Sequence, residues 1–404
     1  MSDQALSDMR VIDLTQYIAG PVCTKFLADY GADVIKIERP GMGDGARNMG
    51  PFYHDEPHPE KSGLFLYLNI NKRGITLNLK SKLGKEIFRE LVKKADAVVE
   101  NFKPGVMERL GLGYQELEKL NPNLVMTSIS NFGQTGPYRD YKLTELIAVG
   151  TGGPMHSTGV AEREPLKYAE TVAIYQSGLF SAMSTMVAFY GSRYGGVGQH
   201  IDISIMETQA ITVNHRAYGL TTYQYNGRST PRGARLGSRY PSGVYPCANG
   251  YIVISSIGGG GLSKAVEMMG NPPELMDPKW YTPQAQLDEE LRQEFDAIFL
   301  GWCMDHTKQE IFELGQAAGN IVAPMNNIDE VFKDPQFNDR GVFTEVEHPV
   351  IGKVKLAGRP FIMPETPWAL RRPAPLLGQH NSEVYAELGY TKGDLVTLRE
   401  TGVI

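Results

Sequence analysis

The feature that most narrows the fold is the alternation of short apolar runs with helix-period segments across residues 10–135. RVIDL (10–14), DVIKIE (33–38), GITLNL (74–79), DAVVEN (96–101) and LVMTSIS (124–130) read as strands. Between the first two, GPVCTKFLADYGA places Pro21 near a helix start, where a missing N–H costs nothing. KLGKEIFRELVKKA (82–95) puts Ile87, Leu91 and Val92 on one helical face. Strands separated by helices pair in parallel, so the expectation is α/β: a Rossmann-like, doubly wound open sheet. Such sheets hold ligands beyond the carboxyl ends of their strands. Arg39, Asn101 and the loop NFGQTGPYRD (131–140) follow those ends and are the first candidates.

Further along, a long apolar helix is predicted from 170 to about 190, ending near RYGGVGQ. HIDISIMET (200–208) reads as a strand running into a helix. Around 220–245 the composition turns to Tyr, Arg, Ser and Gly, which suggests a linker into a smaller inserted domain. The expected division is a large domain over 1–220, a small α/β domain over 221–325, and a return to the large domain over 326–404. A chain of 404 residues exceeds one ordinary core, in keeping with two domains.

A formal net charge of −6 supplies no broad basic surface for nucleic acid, though a few local cations suffice for a small anion. The three cysteines, Cys23, Cys247 and Cys303, are far apart and odd in number, which argues against a disulfide framework or zinc site and for a reducing cytoplasm. The first residues lack a signal pattern, and no run approaches 18 apolar residues, so no membrane span is expected. His200 has no companion at metal-ligand spacing and reads as structural; His54 and His58 fall in a Pro-rich loop, and no metal site is expected. No G-x-S-x-G elbow is present. The run Gly258, Gly259, Gly260 and Gly261 joins a strand to a helix and suits either a mobile ligand-covering loop or a plain turn. Arg39, Lys72, Arg73, Arg109 and Lys142 lie near strand or loop ends; each alone suits a solvated surface, and together they could hold a phosphorylated ligand.

GPVCTKFLADYGADVIKIERPGMGD (20–44), LNLKS, VENFKPGVMERLGLGY (99–114), SISNFGQTGPY (128–138) and GVGQHIDISIMET (196–208) resemble, in order, segments of the class III CoA-transferase family, which includes formyl-CoA and carnitine CoA-transferases. SIGGGGL (256–262) resembles the family's active-site glycine loop. The resemblance implies a large domain built from both chain ends, a small inserted domain, and dimers whose chains pass through each other like linked rings. It implies coenzyme A as a substrate, with no permanently bound cofactor, carried over onto Arg39, Lys72, Asn101, Arg109 and Lys142. The glycine run would close over the thioester.

The chemistry it implies begins with an aspartate that attacks the acyl-CoA thioester to give a mixed anhydride. CoA thiolate then attacks the carboxyl carbon to give an enzyme–CoA thioester, which the incoming acid displaces. In the family that Asp stands four residues before a glycine, in a D-x-x-(S/A)-G pattern. Here the glycine is Gly178 and the position holds Ile174; counting forward from ELIAVGTGGPMHSTG (145–159) gives the same register. Glu170 precedes Ile174 by four residues, one turn of ~5.4 Å if the helix has begun. Glu145 matches an acidic position near the family's site. Both are candidate carboxylates, neither in the expected place. One expectation is a heteromer in which an Asp-bearing sister chain supplies the nucleophile, as in succinyl-CoA:benzylsuccinate-type transferases. Alternatives are a catalytically silent structural subunit, a homomeric transferase using Glu170, and, last, an acyl-CoA racemase. The acceptor carboxylic acid is not legible.

Overall fold

The computed structural model describes residues 4–212, 214–229, 232, 240–256 and 261–404. Six strands form one parallel sheet: β1 (Arg10–Asp13), β2 (Asp33–Glu38), β3 (Arg73–Thr76), β4 (Ala97–Glu100), β5 (Val125–Ser130) and β6 (Gln199–Ser204), in the order β3-β2-β1-β4-β5-β6. That order reverses direction between β1 and β4, the switch point at which a doubly wound sheet opens a crevice. The helices of this part are α1 (Ala19–Asp29), α2 (Gly63–Asn69), α3 (Lys82–Val92), α4 (Val106–Leu110), α5 (Tyr114–Leu117), α6 (Glu145–Thr151), α7 (Val172–Gly195), α8 (Ile205–Thr212) and α9 (Asn214–Asn226).

The strands alternate between two cores. Ile12, Ile35, Ile75, Val98 and Met126 face α3 with Ile87, Phe88, Leu91 and Val92. Val11, Val34, Val99, Val125 and Ile129 face α1 and α7 with Cys23, Leu27, Ala182 and Phe189. α3 starts where the Ser81 hydroxyl accepts the Gly84 N–H, a cap worth about 1 kcal/mol. α1 and α7 touch closely because α7 carries Gly178 at the crossing: a Cβ there would lie 2.6 Å from both the Ala19 carbonyl and Val22.

The chain divides into two compact units. One comprises 1–156, 166–230 and 339–404, the other 157–165 and 231–338. The first includes the C-terminal segment. The hairpin β10 (Phe343–His348)–β11 (Gly352–Ala357) and the helices α15 (Asn381–Ala386) and α16 (Lys392–Glu400) belong to it. Asn381 and Tyr385 bond Thr76 at the end of β3, and Arg371 donates to the Ala28, Gly31 and Ala32 carbonyls at the close of α1. The second unit packs an antiparallel sheet, β7 (Gly243–Cys247), β8 (Gly250–Ser255) and β9 (Ile321–Pro324), with α10 (Gly261–Met268), α11 (Glu289–Met304) and α12 (Lys308–Ala317) around Trp280, Phe295 and Phe299. The boundaries fall later than 220 and 325. α9 continues to Asn226, and α13 (Ile328–Lys333) and α14 (Pro335–Asp339) follow β9. Lys308 ties α13 to α12 through Glu330 at 2.6 Å and holds the Met325 carbonyl.

Candidate active site

At the carboxyl ends of β4 and β5 lies an open cleft of about 170 Å³. Asn101, Lys103, Ser130, Arg139, Lys142 and Ile205 are among its walls. Arg109 approaches the same turn, since a Cβ on Gly105 would meet the Arg109 guanidinium at 3.1 Å and that of Arg139 at 3.2 Å. Gly105 also has φ +79, a left-handed value natural to glycine, so the turn brings two guanidinium groups together over a residue without a side chain. Two polar atoms of this wall, Ser130 Oγ and Arg139 Nε, are buried without a protein partner. Buried polar atoms are nearly always paired, so a ligand oxygen is the natural counterpart here.

Asn101 is locked in place. Its Oδ1 accepts the Gln16 N–H and its Nδ2 donates to the Gln16 carbonyl, both at 2.8 Å. That reciprocal pair joins the end of β4 to the loop after β1, across the switch point. The same loop is braced from below by buried charge. Asp13 accepts from the Thr15 N–H and hydroxyl, from Thr24 and from Lys72. Lys36 donates to the Thr15 carbonyl and pairs with Asp44 at 2.8 Å, and Asp44 accepts the N–H of Tyr17, itself at φ +64. Burial alone would raise the Asp13 carboxyl, but Lys72, Lys36 and the hydroxyls of Thr15 and Thr24 hold it down to about 2. Burial pulls Lys72 down to about 8 against the support of Asp13.

Lys72 therefore departs from expectation. It is fully enclosed and bonds Asp13, the Pro21 carbonyl, Thr24 and Asn69, so it braces the loop from inside the fold and presents no donor at a surface. Asn101 and Lys142 line the cleft; Arg109 is not among its walls and lies beside Gly105, near Arg139. Arg39 is exposed at the end of β2 and is not among the cleft's walls. Gly258, Gly259 and Gly260 lie outside the described residues; Gly261 opens α10 at φ +51. Among the described residues, no group of three or more His, Cys, Asp or Glu side chains is placed to hold a metal. Sequence reasoning missed Arg139, Ser130 and Lys103 as individual residues, although the quoted loop contained Arg139.

The segment where the family resemblance places its carboxylate is built differently. Gly178 brings α7 onto the start of α1, and Ile174, one turn earlier, falls in an apolar cluster with Ile18, Val22, Leu68 and Tyr175. Its backbone is held by Glu145, whose Oε2 accepts the Ile174 N–H at 3.1 Å and whose Oε1 accepts that of Ala173 at 2.8 Å. Glu145 is thus a buried cap on the N-terminus of α7, where its negative charge complements the helix dipole. Glu170 does not stand one helical turn below Ile174. α7 begins only at Val172, and Glu170 precedes it, exposed, at φ +52. The full-turn offset of a regular helix, which would have kept its carboxylate from the Ile174 position, therefore does not apply, and the irregular backbone on which Glu170 as a substitute depends is present.

The residues from 6 to 381 match the sequence profile of CoA-transferase family III. The chain belongs to that family. This family III chain is 34% identical, over 99% of its length and 98% of the relative's, to a succinyl-CoA–D-citramalate CoA-transferase of Chloroflexus aurantiacus. It is 33% identical, over 95% of both, to a succinate–glutarate CoA-transferase of Agrobacterium fabrum. Among solved structures it is similar to a CAIB/BAIF family protein from Brucella suis, with TM-score 0.84, 29% identity, and coverage of 96% of this chain and 100% of that one. The chain is a CoA-transferase by family, and its parallel-sheet unit carries the expected α/β fold.

Proposed function

We propose that this chain is a subunit of a heteromeric CoA-transferase that exchanges CoA between an acyl-CoA such as succinyl-CoA and a carboxylic acid, and that a homologous sister chain provides the attacking aspartate. CoA lies against Asn101, Arg109, Arg139 and Lys142, whose cations meet its phosphates. The observation that carries the division of labour is Ile174 within a hydrocarbon cluster, its N–H capped by Glu145, at the register where the family resemblance calls for the nucleophile. The nearby carboxylates support this reading. Both Glu145 oxygens already hold the helix start, and Glu170 stands outside it. Succinyl-CoA as donor is supported by the names of the two relatives above.

A partner chain is further supported by the outer face of α7. Leu179, Met183, Val187, Tyr190 and Tyr194, spaced four, four, three and four residues apart, form an exposed apolar stripe. α7 is long and apolar enough to resemble a membrane span, but its other face, with Ala173, Ser177, Gly178 and Ala182, is buried in the fold. The test is reconstitution. The chain is purified alone and then co-expressed with an Asp-bearing homologue, and CoA transfer from succinyl-CoA to free acids is measured. Transfer that appears only in the mixture is expected; full transfer by the isolated chain would overturn the proposal.

A further inference from the structure

Behind the cleft wall, three strands contribute a polar chain, buried at Glu100 and Ser128 and reaching the surface at His200. Glu100 ends β4 and is 4% exposed. Its Oε2 accepts the N–H of Phe102, a wall residue of the cleft, at 2.8 Å. Ser128 faces it in register on β5, and its hydroxyl favours the ionised carboxyl. Ser128 Oγ lies 2.8 Å from His200 Nε2 on β6, and the His200 ring stacks on Tyr114 of α5 with centroids 5.6 Å apart. The other ionisable groups felt by this cluster are Glu108 of α4 and Asp202 of β6, both acidic. Burial, opposed by the Ser128 hydroxyl and the Phe102 hydrogen bond and reinforced by Glu108 and Asp202, raises the Glu100 carboxyl to about 7. Burial lowers His200, so its imidazole is neutral in the same range.

We infer that Glu100 is a positioning residue of the cleft wall and that its proton is linked to anion binding: a phosphorylated ligand against Asn101, Lys103, Arg139 and Lys142 binds together with one proton at Glu100. This rests on the CoA reading above. A buried carboxylate and a polyanion on two sides of one turn repel each other, and a proton on Glu100 removes the repulsion. The chain has an arrangement for each state. With Glu100 ionised, the Ser128 hydroxyl donates to the carboxylate and His200 Nε2–H donates to Ser128 Oγ. With Glu100 protonated, its O–H donates to Ser128 Oγ, and the Ser128 hydroxyl turns to donate to a bare His200 Nε2, whose ring proton now sits on Nδ1. The imidazole gives one proton to solvent at Nε2 and takes one at Nδ1, so the net uptake is the single proton on Glu100. Oε2 accepts from Phe102 in both states, so the wall stays in place while its charge changes.

Calorimetric titration with CoA at pH 7.5 in buffers of differing ionisation enthalpy measures the protons exchanged, and nitrogen NMR of labelled histidine reports the His200 tautomer. The expected result is uptake of up to about three-quarters of a proton, CoA affinity falling by up to about tenfold per pH unit above pH 7, and a change from Nε2–H to Nδ1–H on binding. In Glu100→Gln, that uptake and the pH dependence it causes are lost. Should that variant not fold, the tautomer change in the unaltered chain decides. CoA binding with no proton uptake, uptake that survives in Glu100→Gln, or an unchanged tautomer overturns the inference. No CoA binding at any pH would overturn the CoA reading itself.

Discussion

The cleft beside Asn101 and the segment around Ile174 differ in chemistry. The cleft keeps cations, a locked amide and unpaired polar atoms, all suited to a charged ligand. The segment has the helix crossing at Gly178 and the Glu145 cap, and fills the position with hydrocarbon. Under the proposed function, binding and bond-making rest on different residues. The scaffold that aims the nucleophile can persist without it, because Gly178 and Glu145 also hold α7 on α1.

Several changes would break or sharpen that contrast. The largest effect is expected from Lys72→Ala, which leaves the buried Asp13 carboxylate without its ion-pair partner. A loss of roughly 3–5 kcal/mol in urea unfolding is expected, with unfolding rather than a selective binding defect. A stable Lys72→Ala protein that had lost only CoA affinity would restore Lys72 as a ligand contact.

Next comes pH. Native Glu100 holds its proton to about 7, whereas the unfolded carboxyl releases it near 4.5. Between those values the native state binds more protons, so this group's contribution weakens as pH rises from 4.5 through 7, by roughly 2–3 kcal/mol. Asp13 acts oppositely: its native value of about 2 lies below 3.8, so its contribution is present above 3.8 and lost as pH falls toward 2. Chemical denaturation from pH 4 to 8 should show the Glu100 decline, and Glu100→Gln should flatten it. A smaller change is expected from Gly178→Ala, whose new methyl group must push α1 from α7, at a cost of about 1–3 kcal/mol by urea titration. Smallest in stability but selective in binding is Arg139→Ala. CoA affinity should fall about tenfold with a shallower salt dependence, while unfolding changes by less than about 0.5 kcal/mol.

The sheet was legible because parallel strands buried on both faces are short runs of Val and Ile, and DVIKIE coincides with β2. α2 was not legible. Its GLFLYLN follows a Pro- and Gly-rich loop, and Ser62, which caps it by accepting the Phe65 N–H, is a common residue in turns as well. The register that places Ile174 came from motif spacing, and Asn101 and Lys142 from their place after strands. The burial of Lys72 could not be read, because a lysine at a strand start gives no sign of an Asp13 waiting beneath it. Nor could the left-handed backbone at Glu170, since the start of α7 at Val172 depends on Glu145, 27 residues before that start.

The central claim is that this chain binds acyl-CoA and has no attacking oxygen of its own. The most direct test is to incubate the purified chain with succinyl-CoA, quench with hydroxylamine, and search for modified carboxyl groups by mass spectrometry. No hydroxamate at Glu170 or Glu145 is predicted. A hydroxamate at Glu170, with rapid transfer abolished by Glu170→Gln, would contradict the account.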